Sequence, residues 1–215
     1  MSFFKNVFNK KSNKSEQRKL TQVNQLLVGD IIVLTDSFAL PDILRGQQLQ
    51  VTAVNSYEYE NSTQSEWTLQ GSDSLLLFLA LDVDDSTELK FGLKIEHEDV
   101  ETLFDLDCFS EIFDEPGQAF LDRKIDNEKT TNWSSKQYQQ STFAKVGYFH
   151  RKDHRSDNIS AYEGKDSGEQ FELYSLYSED QSKGIDIEVW QDGDTDVFLT
   201  LFRPLTDIVD MYSAS

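Results

Sequence analysis

A chain of 215 residues with 20 Lys or Arg against 39 Asp or Glu carries a formal net charge of −19. An acidic body of this kind repels phosphate backbones, which argues against nucleic-acid binding by the folded part. With 3 Pro and 10 Gly beside 15 Phe, 8 Tyr and 3 Trp, the composition excludes a fibrous or low-complexity chain and favours a β-rich globular one.

The single cysteine, Cys108, leaves no internal disulfide, which fits a reducing compartment. No apolar run approaches the ~20 residues of a membrane-spanning helix. The first residues lack the apolar core of a secretory signal. The expected location is cytoplasmic.

Residues 1–19 stand apart. They carry Lys5, Lys10, Lys11, Lys14, Arg18 and Lys19 against Glu16, a net of +5, so the rest of the chain holds 14 basic and 38 acidic side chains. Drawn as a helix, Phe3, Phe4 and Phe8 share a face with Val7, and Lys5, Lys10 and Lys11 lie around or beyond it. Aromatics opposed to lysines suit the interface of an anionic membrane or a partner surface. A short helix is marginal alone in water, so a frayed tail and a segment packed on its own domain stay open.

From Leu20 the pattern is that of a folded chain. Leu26–Leu34 reads as an apolar pair, a Gly-Asp turn and a β-branched strand. Gln48–Tyr59 alternates through Leu49, Val51 and Ala53 and then changes phase, which predicts a bulge near Asn55. Trp67 and Leu69 mark the next strand. Leu75–Leu81 is the strongest apolar run and predicts a strand buried on both faces, paired through an acidic turn with Leu89–Ile95. Closely spaced strands joined by short turns suggest a small barrel or a strongly curved sheet.

Acidic residues from Glu96 to Glu101 open a helical segment that Pro116-Gly117 ends, and polar residues 122–136 form a loop or boundary. Strands follow at Thr142–His150, Phe171–Tyr177 and Ile185–Phe202. In the last of these, Asp192-Gly193 predicts a two-residue type I′ hairpin turn. Thr206–Tyr212 reads as a short amphipathic helix. The two halves echo each other: Asp99–Phe104 aligns with Asp207–Tyr212, and Trp67 and Leu69 with Phe171 and Leu173. Duplication and chance likeness between two hairpin–helix units both account for this.

The expected architecture is mainly β with short helices, in two antiparallel subdomains of barrel-like or curved-sheet form. Residues 1–19 are a basic peptide, 20–116 a first subdomain ending in a helix, and 117–215 a second ending in a short helix.

No motif for chemistry emerges. There is no Gly-x-Ser-x-Gly elbow or Gly-x-Gly-x-x-Gly turn, and Gly164-Lys165 is followed by Asp166 where a phosphate-binding loop needs Ser or Thr. His150 and His154 have i, i+4 spacing, but Arg151 stands where a zincin needs Glu; they read as solvated loop residues. Cys108 reads as a small core residue. Asp82, Asp84 and Asp85, like Asp192, Asp194 and Asp196, suit hairpin tips and do not follow the EF-hand pattern. We assign no catalytic, cofactor-binding or metal-binding residue.

The opening MSFFKNVFNKK, the Leu26–Leu34 start, Tyr57–Leu69 and the strand end Leu79–Asp85 resemble a loose group of uncharacterised bacterial proteins. These are encoded beside relatives of phage-shock protein A, a membrane-stress protein. The resemblance implies a cytoplasmic accessory protein near the inner membrane and carries over no catalytic residue.

The function expected from the whole chain is therefore non-enzymatic. The basic peptide, with Phe3, Phe4, Lys5, Phe8, Lys10 and Lys11, would dock on an anionic membrane or a partner, and the acidic body would engage a basic protein. An acidic inhibitor or immunity-type protein is the alternative. A third reading, a hydrolase using Asp/Glu or His150 and His154, calls for a pocket of converging carboxylates or histidines.

Overall fold

The structure is a computed structural model that describes residues 18–72, 75–84, 86–156 and 168–214. Among these, eleven strands join in one antiparallel sheet. In the first half they are β1 (Ile31–Leu34), β2 (Gln48–Tyr59), β3 (Ser62–Gln70), β4 (Leu76–Val83) and β5 (Thr87–Ile95). Helices α1 (His97–Leu103) and α2 (Leu106–Ser110) follow, with a 3₁₀ turn at Glu111–Phe113. The second half supplies β6 (Phe120–Asp122), β7 (Gln137–His150), β8 (Glu169–Tyr177), β9 (Lys183–Trp190), β10 (Thr195–Pro204) and β11 (Ile208–Tyr212). The mainly β architecture with short helices is the one the alternation of the sequence leads to.

Eight strands close into a ring. β2–β3–β4–β5 and β7–β8–β9–β10 are successive antiparallel meanders, each preceded by a short strand, β1 or β6, at its edge. Two seams join them. β5 pairs with β10 over Val197↔Ile95 to Pro204↔Glu88, and β2 pairs with β7 through Ser56↔His150, Tyr57↔Phe149 and Glu58↔Tyr148. The two halves thus share one sheet and one main apolar cluster, which runs from Val23 to Leu201.

Side chains alternate between the two faces of each strand. Leu77, Leu79, Leu89, Phe91, Ile185 and Leu199 are buried in the main cluster, on the outer face of the ring. There they pack with Leu26, Val100, Leu103 and Ile112 from the flanking turns and helices. The intervening residues point into the lumen. Part of it is filled by Tyr57, Phe149, Phe171 and Trp190, whose rings stand 4.9 Å (Tyr57–Phe149) and 5.4 Å (Phe171–Trp190) apart. Gly147 is required at this cluster. A Cβ there would lie 2.6 Å from Phe171 and 2.9 Å from Tyr59, distances at which a side chain cannot be accommodated without a shift.

Several local expectations change in the fold. The register shift in β2 against β3 lies between Val51 and Ala53, ahead of Asn55, and β7 bends through two shifts between Gln140 and Lys145. At the β9–β10 hairpin only Gly193 has positive φ, at 95°. Gly193 N donates to Trp190 O and Trp190 N to Asp194 O, a three-residue loop with glycine in the left-handed position, not a type I′ pair. Helix α1 starts as expected, with Glu96 and Asp99 forming a reciprocal capping box. Residues 122–136 are an ordered loop: Thr130 and Ser134 donate to Asp126, and Trp133 is buried beside them.

The second half does not end in a helix. Leu205–Asp207 makes a single 3₁₀ turn and Ile208–Tyr212 is β11, paired with β1 from Ile31↔Tyr212 to Leu34↔Ile208. The open edge of β1 offers ladder partners that outweigh the weak helical period of five residues containing Ile208 and Val209. The residue-level echo of the two halves fails here, since Asp99–Phe104 is largely helical. It fails again at Trp67 and Phe171: Trp67 belongs to the outer-face cluster and Phe171 to the lumen. What the halves share is strand order.

Candidate functional site

The lumen contains a cavity of about 210 Å³ to which all eight ring strands contribute. Its wall is polar where a barrel interior is ordinarily apolar. Glu66 (β3), Lys90 (β5), Ser175 (β8), Asp186 and Glu188 (β9) and Thr200 (β10) all line it. These residues arrive by strand periodicity alone. On β9 the lumen receives Asp186 and Glu188, while Ile185 and Ile187 go to the outer cluster.

Two of the charges neutralise each other. Lys90 Nζ lies 2.5 Å from Asp186 Oδ2, and Ser175 donates to Asp186 Oδ1 at 2.8 Å. Burial works against the charged ammonium of Lys90, but the Asp186 carboxylate outweighs it and holds the amine well above the ordinary lysine range.

Glu66 and Glu188 are placed differently. Glu66 accepts from Asn55 Nδ2 at 3.1 Å and from the Tyr57 hydroxyl at 3.3 Å. The Tyr57 hydroxyl also favours the charged form of Glu188. Among the described residues neither forms an ion pair at contact distance. Burial dominates both: it pushes the Glu66 carboxyl up to about 7, against the favourable bonds from Asn55 and Tyr57. Burial, with the Glu66 charge across the lumen, pushes Glu188 to about 8. The two interact and titrate as a pair. The Tyr57 phenol is raised far above its usual value, by burial first and then by Glu66 and Glu188. The lumen reaches solvent past Lys90, Asp82 and Tyr177, which are half-buried, whereas Glu66, Glu188 and Thr200 are buried.

A second polar group sits outside the ring at the β2–β7 seam. His150 Nε2 is 3.0 Å from Glu58 Oε2, both residues buried, and the His154 ring stacks edge-on at 5.0 Å. This corrects the solvated-loop reading: β7 extends through His150 and the seam covers it. Ser56 nearby spends its hydroxyl on the backbone, donating to Lys152 O and accepting from His154 N, each at 3.0 Å. Its hydroxyl proton is thus committed to a carbonyl and not to a base.

A third feature is the surface of the helical segment. Nine carboxylates and no Lys or Arg fall between Glu96 and Glu115. Cys108, expected in the core, is exposed on α2. Its thiol is raised by local desolvation and by Asp105, Glu111, Asp107 and Asp122 around it, which keeps it protonated and weakly nucleophilic. Leu106, Phe113 and Phe120 (66% accessible) are exposed in the same region.

The docking residues expected from the sequence, Phe3, Phe4, Lys5, Phe8, Lys10 and Lys11, lie outside the described residues. Asp192 and Asp194 sit at the β9–β10 tip, and Asp196 pairs with Lys94 at 2.6 Å. Among the described residues no three His, Cys, Asp or Glu side chains gather in a metal-holding group, and no helix is long and apolar enough to cross a membrane. No protein-family model, curated protein or solved structure matches the chain.

Glu66, Lys90 and Glu188 were not singled out by sequence. Each alternates with apolar residues, which reads equally as a solvated strand face. Only closure of the ring turns that face inward.

Proposed function

We propose that this chain is a non-enzymatic interaction protein that presents an acidic surface to a basic protein partner and uses residues 1–19 to contact an anionic membrane. One observation carries the reading. Asp105, Asp107, Glu111 and Asp122 surround an exposed stretch of α2, in a segment without a single Lys or Arg, with Leu106, Phe113 and Phe120 exposed among them. Apolar side chains ringed by one sign of charge suit a partner segment that is both basic and amphipathic. Phosphate-rich partners are repelled by the same field. The net charge of +5 on residues 1–19 supports the membrane contact, since polybasic aromatic segments add electrostatic attraction to partial insertion.

The test has two arms. A photo-crosslinking side chain at Phe120 in the producing cell should capture one net-basic protein. Exchange of Asp105, Asp107 and Glu111 for their amides should weaken that capture and reduce its salt sensitivity. Deletion of residues 1–12 should end co-sedimentation with phosphatidylglycerol vesicles and leave phosphatidylcholine vesicles unbound. Capture indifferent to the amide exchange would sink the first half, and unchanged sedimentation the second. A stoichiometric complex with a basic toxin or nuclease that needs no lipid would identify an inhibitor instead.

A further inference from the structure

Independently of the outer surface, we infer that the lumen binds a small organic cation, a primary ammonium or guanidinium group on a short chain.

Four carboxylates, Glu66, Asp82, Asp186 and Glu188, face the cavity against two ammonium groups, Lys90 and Lys145. Lys90 is engaged by Asp186, and Lys145 lies 4.0 Å over the centre of the Tyr59 ring. Glu66 and Glu188 are left with neutral donors only, and buried carboxylates without a cation are costly. A second, separate observation points into the same space. Thr200, 2% exposed and on the cavity wall, has a hydroxyl with no hydrogen-bond partner among the described residues. Buried hydroxyls are ordinarily satisfied, and an incoming N–H donor would complete this one.

The wall selects the kind of cation. Tyr57, Tyr59, Phe78 and Phe198 line the cavity, and aromatic faces stabilise ammonium and guanidinium groups. The space of about 210 Å³ equals roughly seven waters at ~30 Å³ each, which admits a short alkyl chain and excludes a peptide. A divalent metal would need several converging oxygens, and the described residues hold no such group.

Because Glu66 and Glu188 are buried, cation and proton compete for them. Tyr57, Tyr59, Lys90, Asp186 and Asp196 act on them from β2, β5, β9 and β10, with Asp82, Lys145 and Tyr177 farther along the wall. Affinity should therefore rise with pH through about 7 to 8, as the pair ionises.

The experiment is calorimetric and NMR titration of the full chain with n-butylammonium, butane-1,4-diammonium and guanidinium, with butanol, butyrate and magnesium as controls. One organic cation per chain should bind saturably, about tenfold more tightly at pH 9 than at pH 6. Amide shifts should map to Tyr57, Glu188 and Thr200. Glu66→Gln with Glu188→Gln should weaken binding at least about tenfold, and Thr200→Val by a few fold, while the amide exchange at Asp105, Asp107 and Glu111 should leave it unchanged. The inference is overturned by no saturable binding, by equal binding of butyrate, butanol or magnesium, or by shifts confined to the outer acidic surface. Should the Gln variants misfold, the wild-type shift map and Thr200→Val decide the matter.

Discussion

Two sets of carboxylates in this molecule do opposite work. Asp105, Asp107 and Glu111 stand in water around Cys108, where their charges are cheap and sum into one negative field. Glu66 and Glu188 stand inside the ring, where the same chemical group holds its proton to about 7 and about 8. Placement alone makes the difference. A third buried carboxylate, Asp30, completes the contrast. Burial alone would raise it, but the amides of Leu27 (2.7 Å) and Ala214 (2.9 Å) and the Arg18 guanidinium hold it below the ordinary carboxylate range. Burial raises an acid only where the donors and cations around it do not outweigh the loss of water, as Asn55 and Tyr57 do not at Glu66.

The contrast can be broken in steps, and the largest effect should come from removing Lys90, the lumen cation held in an ion pair. Lys90→Ala leaves Asp186 buried without its partner and should cost about 3–5 kcal/mol, the usual penalty for halving a buried pair. Denaturant unfolding at neutral pH measures it. Asp30→Ala removes a carboxylate that ties β1 to both flanking segments and should cost about 2–3 kcal/mol. That loss should shrink in acid, because a depressed acid contributes stability above its unfolded value and loses it as pH falls through the folded one.

Glu66 and Glu188 should act with the opposite sign. Their values are raised, so the folded state binds more protons than the unfolded one from about 4.5 up to about 8, and stability should fall across that window and level off above it. Unfolding midpoints taken from mildly acidic to alkaline pH should decline in the wild type and flatten in the Glu66→Gln, Glu188→Gln double variant. The smallest effect belongs to the outer set. Amide exchange at Asp105, Asp107 and Glu111 should move stability by no more than about 0.5 kcal/mol while weakening capture of a basic partner.

Much of this fold was legible in the sequence for a definite reason. Leu75–Leu81 is apolar at successive positions because most of it is covered on both faces, Leu77 and Leu79 by the outer cluster and Phe78 in part by Phe198 over Gly92, 5.3 Å away, although Leu76 stays exposed. The helix after Glu96 was legible because its capping box is local. What failed was non-local. The β2–β7 seam joins residues ninety or more positions apart, as in Ser56↔His150, and no local pattern foretells it. His150 and Glu58 are buried by that seam, so the loop reading of His150 lacked the one fact that mattered. Tyr212 lies in a strand because β1 has a free edge, again a distant cause. The lumen was invisible on the same ground: Asp186 and Glu188 alternate with isoleucine just as a solvated face would.

The most direct test of the account is a site-resolved carboxyl ¹³C titration of Glu66 and Glu188 in the intact chain. The pair should ionise in steps with apparent values near 7 and 8, and Tyr57→Phe should raise both, because its hydroxyl bonds the Glu66 carboxylate and favours the charged form of Glu188. Ionisation of both side chains near 4.5, the ordinary glutamate value, would mean that water fills the ring, and the inward-facing carboxylates would then be no different from those outside.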